Sequence, residues 1–295
     1  MKTIILGPPG TGKTTTLLNL VDEFIQQGVR PKQIGYFSFT KRAATEAANR
    51  AAKKFNLDLE NDLSNFRTLH SLAFRNLGIT KERMMKPEDY KEFGQKCGIP
   101  IKTASYSSED GTFNSDNEYL TIINTARVKR MDLMEYYDSR KNILDIERGT
   151  LFLLSEELNR FKKEKGLKDF TDLLEDFIEK SLPGSFEVLF IDEAQDLSLL
   201  QWEMVRHLWK YAKKTYIAGD DDQAIFKWAG ADVDHFIALK EEVNDIKVLD
   251  QSYRIPGGPI HELSQKIINK VQNRFVKEYK PRDEIGLLKR YSDIT

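Results

Sequence analysis

Lys2-Thr-Ile-Ile-Leu6-Gly7-Pro8-Pro9-Gly10-Thr11-Gly12-Lys13-Thr14 stands at the start of the chain. An apolar run of strand length enters a glycine-rich turn. A helical pattern follows, with Leu17, Leu18, Val21, Phe24 and Ile25 on one face. The turn fits G-x-x-x-x-G-K-[ST], and both flanks suit it. The glycines let consecutive backbone N–H groups turn inward around a phosphate, and the helix start adds partial positive charge. Lys13 is expected to reach the β- and γ-phosphates, and Thr14 to hold Mg²⁺ through its hydroxyl. Gly7, Pro8, Pro9, Gly10, Thr11, Gly12, Lys13, Thr14 and Thr15 form the nucleotide-binding set. The motif speaks for nucleotide binding and says little about what the nucleotide does.

Further along, Gln26-Gln27-Gly28 ends the helix and Pro31 guards the exit. Residues 33–39 read as a second strand and 43–55 as an alanine-rich helix. Strand, helix, strand, helix implies an α/β fold with a parallel sheet and crossover helices. The rhythm breaks after Gly78. Residues 81–165 show helical patches without clear strands, and 103–118 (TASYSSEDGTFNSDNE) reads as a mobile loop. The rhythm resumes with strands at 186–191, 215–218 and 247–249 and helices at 199–211 and 258–271. The expected organisation is a discontinuous nucleotide-binding domain, 1–80 and 166–295, carrying a mostly helical insertion at 81–165.

Val188-Leu-Phe-Ile-Asp192-Glu193-Ala-Gln-Asp196 is an apolar run ending in carboxylates. A buried strand would deliver them to the carboxyl edge of the sheet, where ligands bind in such folds. Asp192 is expected to hold Mg²⁺, directly or through water. Glu193 is expected to polarise the attacking water. Asp196 reads as an acidic N-cap for the next helix.

The chain has 295 residues, with 40% hydrophobic and 31% charged. That is enough to bury a core, and the balance is that of a globular protein. A single cysteine, Cys97, forbids an internal disulfide. Four scattered histidines leave no Cys/His zinc cluster. The apolar runs are too short to span a bilayer, and no basic-then-apolar signal layout occurs, so a reduced, cytoplasmic protein is expected. Net charge is -1, unevenly spread. Residues 30–83 hold 11 basic and 5 acidic residues, 187–250 hold 7 and 14, and 266–290 hold 8 and 3. Such basic stretches either track phosphates or are solvated helix faces.

An ordered series of segments resembles the UvrD/Rep-like superfamily 1 DNA helicases. Gly7 to Thr14 looks like motif I, and Phe37-Ser-Phe-Thr40-Lys-Arg-Ala-Ala44 like motif Ia. Thr68-Leu-His70-Ser71 resembles the family's Thr-Phe-His-Ser segment, and Asp169-Phe-Thr-Asp-Leu-Leu174 the re-entry from the insertion. Ile191-Asp-Glu-Ala-Gln-Asp196 looks like motif II, Gly219-Asp-Asp-Asp-Gln223-Ala-Ile-Phe-Lys-Trp228-Ala-Gly230 like motif III, and Gln251-Ser-Tyr253-Arg254 like motif IV. The resemblance implies a RecA-like P-loop domain that binds ATP with Mg²⁺ and single-stranded DNA. It also implies work at duplex junctions as a monomer, 3′-to-5′, with no membrane. Glu193, Gln223, Arg254 and Lys13 would be catalytic. Gln223 would link the γ-phosphate to the DNA groove, Arg254 would stabilise transition-state charge, and Tyr253 would stack on adenine. Trp228 and Phe226 would stack on bases, and Thr40, Arg42 and His70 would lie along the DNA backbone. For His70 a structural hydrogen-bonding role is the alternative.

Four departures accompany the resemblance. The family's glutamine segment before motif I has no counterpart. Leu69 replaces the phenylalanine before the histidine. Ala229 replaces the arginine after the motif III tryptophan. The sequence ends at Thr295 without motifs V and VI, so a fragment lacking the second motor domain is expected. The competing readings are a P-loop ATPase of another class, a small-molecule kinase, and a nucleotide-gated DNA-binding module without turnover. No Asn-Lys-x-Asp segment supports a GTPase, and the aromatic cluster after Gln223 has no purpose in a small-molecule kinase.

Overall fold

The computed structural model describes residues 1–181 and 183–288. Lys289 and Arg290 of the C-terminal basic stretch lie outside the described residues. The first elements are β1 (Lys2–Leu6), α1 (Lys13–Gln26), β2 (Ile34–Ser38), α2 (Lys41–Phe55), β3 (Phe66–Thr68) and α3 (Leu69–Asn76). The insertion contributes α4 (Pro87–Cys97), β4 (Ala104–Tyr106), β5 (Phe113–Ser115), α5 (Glu118–Val128), α6 (Leu133–Asp138) and α7 (Arg148–Lys165). The chain then returns through α8 (Phe170–Lys180), β6 (Phe186–Asp192), α9 (Leu199–Trp209), β7 (Ala212–Gly219) and α10 (Val233–Ala238). The last described elements are β8 (Asp245–Val248), β9 (Gln251–Gly257), α11 (Pro259–Ile268) and β10 (Lys280–Ile285).

Six strands form one parallel sheet in the order β3-β2-β6-β7-β1-β8. The register sets Leu6 beside Gly219 and Val248, and Asp192 beside Ser38. The glycine loop, the acidic end of β6 and the exit of β7 therefore share one carboxyl edge. Helices cover both faces, as an all-parallel sheet requires. On one face, Leu17, Leu18 and Val21 of α1 pack with Ala47, Ala48 and Ala51 of α2. The small alanines bring α2 close to the sheet. On the other face, Leu72, Leu173, Phe177, Trp202 and Val205 pack around Ile4, Phe37 and Ile191. A third cluster, including Tyr90, Phe93, Leu120, Leu151 and Phe161, is built from insertion residues.

Ion pairs tie the insertion to α8. Arg127 of α5 donates to Asp169, Asp172 and Glu175, and Lys162 of α7 donates to Asp169 and Asp172. Asp169 and Asp172 also form the capping box of α8. The segment 103–118 is not the loop expected from its polarity. β4 and β5 pair antiparallel, Ala104 opposite Ser115 and Tyr106 opposite Phe113. The anchor is aromatic: Tyr106 stacks on Phe170 at 5.1 Å between ring centres. Its hydroxyl donates to Asn124 Oδ1 at 2.8 Å.

Candidate nucleotide site and nucleic-acid groove

The glycine loop has the backbone its sequence implies. Gly10 and Gly12 have φ of 76° and 83°, a region that only glycine enters without strain. A Cβ on Gly7 would stand 2.4 Å from Thr11 Oγ1, so the loop closes on itself without room for side chains. Thr11 Oγ1 donates to the Pro8 carbonyl at 2.9 Å. Lys13 Nζ donates to the Gly7 carbonyl at 2.7 Å, folding the ammonium across the concavity of the loop. Thr15 is turned aside, its hydroxyl accepting from Arg50 Nη2 at 3.0 Å.

Thr14 Oγ1 donates to Asp192 Oδ2 at 3.1 Å, which joins the start of α1 to the end of β6. This pair of hard oxygen donors suits a Mg²⁺ ion. Tyr36, fully buried on β2, donates to the same Oδ2 at 2.6 Å. The next backbone amide, Glu193 N, donates to Oδ1 at 3.0 Å. Burial and then the charge of Glu193 push the Asp192 carboxyl up to about 6, against the pull of the Tyr36 and Thr14 bonds. Glu193 adopts φ 53° and ψ 44°, left-handed geometry for a residue with a side chain. Strain of this kind collects where a side chain must be aimed.

Gln195 joins the acidic end of β6 to the exit of β7. Its Nε2 donates to Glu193 Oε2 at 3.0 Å and to Asp196 Oδ2 at 2.9 Å. Its Oε1 accepts from Asp220 N at 3.0 Å. Gln223 Nε2 in turn donates to Asp220 Oδ2. An unbroken hydrogen-bonded line thus runs from Glu193 to Gln223. Asp196 is not the helix cap expected from sequence. Ser198 caps α9 in a box with Gln201, and Asp196 is buried, with burial and Glu193 pushing its carboxyl up to about 7.

The C-terminal segment braces the loop from the other side. Ser252 Oγ and the Tyr279 hydroxyl donate to the Pro9 carbonyl at 3.0 and 2.8 Å. Tyr253 N donates to the Gly10 carbonyl at 2.9 Å. Tyr253 and Arg254 therefore stand beside the loop with exposed side chains. The carboxylates of Asp220, Asp221 and Asp222 converge, but the buried ammonium of Lys277 already fills their centre, donating to Asp220 at 2.6 Å. Tyr36, Gln195 and Lys277 were missed by sequence reasoning. Tyr36 and Lys277 meet partners 156 and 57 residues away that no local pattern announces; Gln195 stands inside the motif II stretch, but its bond to Asp220 N spans 25 residues.

Trp228 is 64% exposed, so the indole is free of the interior. Phe226 is half-buried against Phe39, with ring centres 4.9 Å apart, and lies next to the indole. Thr40 caps α2, its Oγ1 accepting from Ala43 N at 3.1 Å. Arg42 has an exposed side chain. His70 lies against Phe170 and beneath Gly111 of the β4–β5 hairpin. Burial depresses its imidazole to about 4. The structure therefore gathers the candidate nucleotide residues at one edge, and sets Thr40, Arg42, His70, Phe226 and Trp228 along an adjoining surface.

A phosphate cradle at the carboxyl edge of a parallel sheet, with a carboxylate bonded to the loop threonine, defines a P-loop nucleotide-binding domain. Residues 1–244 match the UvrD/REP helicase N-terminal domain, and the chain belongs to that family. It is 24% identical over 268 residues to the ATP-dependent DNA helicase Rep of Buchnera aphidicola subsp. Baizongia pistaciae, covering 86% of this chain and 39% of that protein. It is 27% identical over 304 residues to a probable DNA helicase II homolog of Rickettsia conorii, covering 93% of this chain and 43% of that one. For the ATP-dependent DNA helicase Rep of Escherichia coli the identity is 25% over 303 residues, covering 96% and 43%. The chain spans about two-fifths of the length of these curated relatives. Among the described residues no helix is long and apolar enough to cross a membrane.

Proposed function

We propose that this chain is the ATP-binding part of an ATP-dependent DNA helicase or translocase, that it takes ATP with Mg²⁺, and that it holds single-stranded DNA beside duplex junctions. The observation that carries this reading is the line from Thr14 and Asp192 through Glu193, Gln195 and Asp220 to Gln223, which ends a few residues from the exposed Trp228. A kinase for small molecules has no use for that connection.

The roles follow from position. The amides of residues 7–14 and Lys13 bind the triphosphate. Thr14 and Asp192 would hold Mg²⁺, which neutralises phosphate charge when bound. Glu193 accepts a proton from the water that attacks the γ-phosphorus, and the bond to the ADP oxygen breaks. Arg254, exposed beside Gly10, supplies a guanidinium to the charge that develops, and Tyr253 offers its ring to the adenine. Gln223 reports the state of the γ-phosphate to the segment bearing Phe226 and Trp228. Thr40, Arg42 and His70 mark the backbone path of the DNA. Residues 81–165 act as an inserted subdomain, and unwinding with 3′-to-5′ polarity belongs to the motor completed by a second RecA-like lobe.

ATP hydrolysis with and without oligothymidylate tests the reading. Turnover stimulated by the oligonucleotide is the expected result. DNA binding without turnover would favour the gated binding module, and turnover indifferent to DNA would favour another class of P-loop ATPase.

A further inference from the structure

The tip of the β4–β5 hairpin, residues 107–112 (Ser-Ser-Glu-Asp-Gly-Thr), reaches out of the insertion onto the start of α2. The Glu109 carbonyl accepts from Lys41 N at 2.6 Å, and Glu109 Oε1 accepts from Arg42 N at 2.7 Å. These amides belong to the first turn of a fifteen-residue helix, where free N–H groups and the helix dipole favour an anion. Thr40 satisfies the Ala43 amide, while Glu109 offers a backbone carbonyl to the Lys41 amide and a carboxylate oxygen to the Arg42 amide. Around them lie the exposed side chains of Lys41, Arg42 and Arg50.

The same tip divides a trough. On one side lies a space of about 590 Å³ whose walls include Lys41, Arg67, His70 and Lys81. On the other, beneath Asp110, Gly111 and Thr112, only about 30 Å³ remains between Phe39, His70 and Ala229. That is room for a water and not for a base. His70 lines both spaces, and Gly111 is the partition above it, so close that a Cβ there would stand 2.6 Å from the ring. A strand running from Arg42 toward Trp228 meets this partition.

We propose that the acidic tip is a displaceable gate on the single-strand groove, with Glu109 occupying the α2 amides until a DNA phosphate takes its place. The inference rests on the reading of this groove as a single-strand site. The tip can leave as a unit, because it is closed on itself. Ser107 N donates to Thr112 O at 2.8 Å, Gly111 N to Ser107 O at 2.9 Å, and Thr112 N to Asp110 Oδ1 at 2.9 Å. The two Glu109 bonds are its hydrogen bonds to α2, and both are made to groups that a phosphodiester would satisfy equally well.

Binding of a fluorescein-labelled oligothymidylate to the 295-residue chain, read by anisotropy at fixed salt, tests the gate. Glu109→Gln keeps the shape of the contact and removes its charge. A second variant replaces residues 107–112 by an Asn-Gly turn. Tighter binding is expected for both, roughly threefold for the first and roughly tenfold for the second, as befits one or two exchanged hydrogen bonds. A fluorophore pair, one on the tip at position 110 and one on α2 at position 49, adds a readout that a merely structural tip would not give. DNA should separate the pair in the otherwise unaltered chain, while the Ser107 and Gly111 amides keep their exchange protection because their bonds lie within the tip. Equal or weaker binding by both variants, with the unaltered chain still binding, overturns the gate alone. Absence of binding by every version overturns the single-strand reading and the gate with it.

Discussion

The candidate triphosphate edge and the proposed strand groove are neighbours with opposite construction. At the first, core elements already hold the functional groups in place. Asp192 takes bonds from β2, α1 and the chain's next amide, and the loop is braced by Ser252 and Tyr279. At the second, the donors of α2 are held by a surface hairpin, and Trp228 stands in solvent. A site for a small, highly charged ligand gains from arriving preorganised. A site for a long polyanion must let its ligand enter from the side, which a hairpin moving off the α2 donors would allow.

The contrast can be broken first at Lys277. Lys277→Met would leave the buried carboxylates of Asp220 and Asp221 without their cation while Asp222 keeps Arg274, and a loss of about 3–5 kcal/mol is expected, read as a lower urea midpoint. An unchanged midpoint would mean that the exit of β7 is not built on this ion cluster. Next comes Lys13→Ala, which removes the ammonium lying across the loop. Affinity for a fluorescent ATP analogue should fall roughly a hundredfold or more, as the loss of charge-assisted bonds to two phosphates requires. Retained affinity would contradict the role given to Lys13.

At the groove, Trp228→Ala should weaken oligothymidylate binding by about 1–3 kcal/mol with nucleotide affinity unchanged. Phe226→Ala should also lower stability, because its ring packs on Phe39. An unaltered DNA titration for Trp228→Ala would remove the stacking platform. The smallest effect sharpens the contrast through His70. Its imidazole is depressed to about 4 in the fold against an ordinary value of 6.5, so between those values the unfolded chain binds more protons. His70 therefore contributes a rise in stability with pH across this window of about 1–2 kcal/mol once partial exposure is allowed for, set against the opposite slope that the raised carboxyls of Asp192 and Asp196 contribute. His70→Gln should flatten that rise in urea unfolding at stepped pH.

Much of the triphosphate edge was legible because its information is local. An apolar strand, a loop with glycines at 7, 10 and 12, and a run ending at Asp192 each announce themselves within a dozen residues. The groove was less so. β4 and β5 have three residues each, too few to display a period, and the polar residues between them read as a loop. What orders them is Tyr106 against Phe170, a contact that appears only once the insertion folds back. Thr40 did carry a readable signal, a threonine just before an alanine-rich helix, and its hydroxyl is spent as a cap. Asp196 was misread because Ser198, two residues on, is the better cap and has Gln201 at the right spacing.

Gly10 carries two separate vetoes. Its φ of 76° disfavours most side chains, and a Cβ would sit 2.4 Å from the Cβ of Arg254. Asparagine, which tolerates the first, still fails the second. A side chain at position 10 thus requires that position 254 lose its Cβ, which means glycine there and the loss of the guanidinium. The constraint runs one way across 244 residues of sequence: position 254 can change while position 10 stays glycine, but position 10 cannot change while position 254 keeps a side chain.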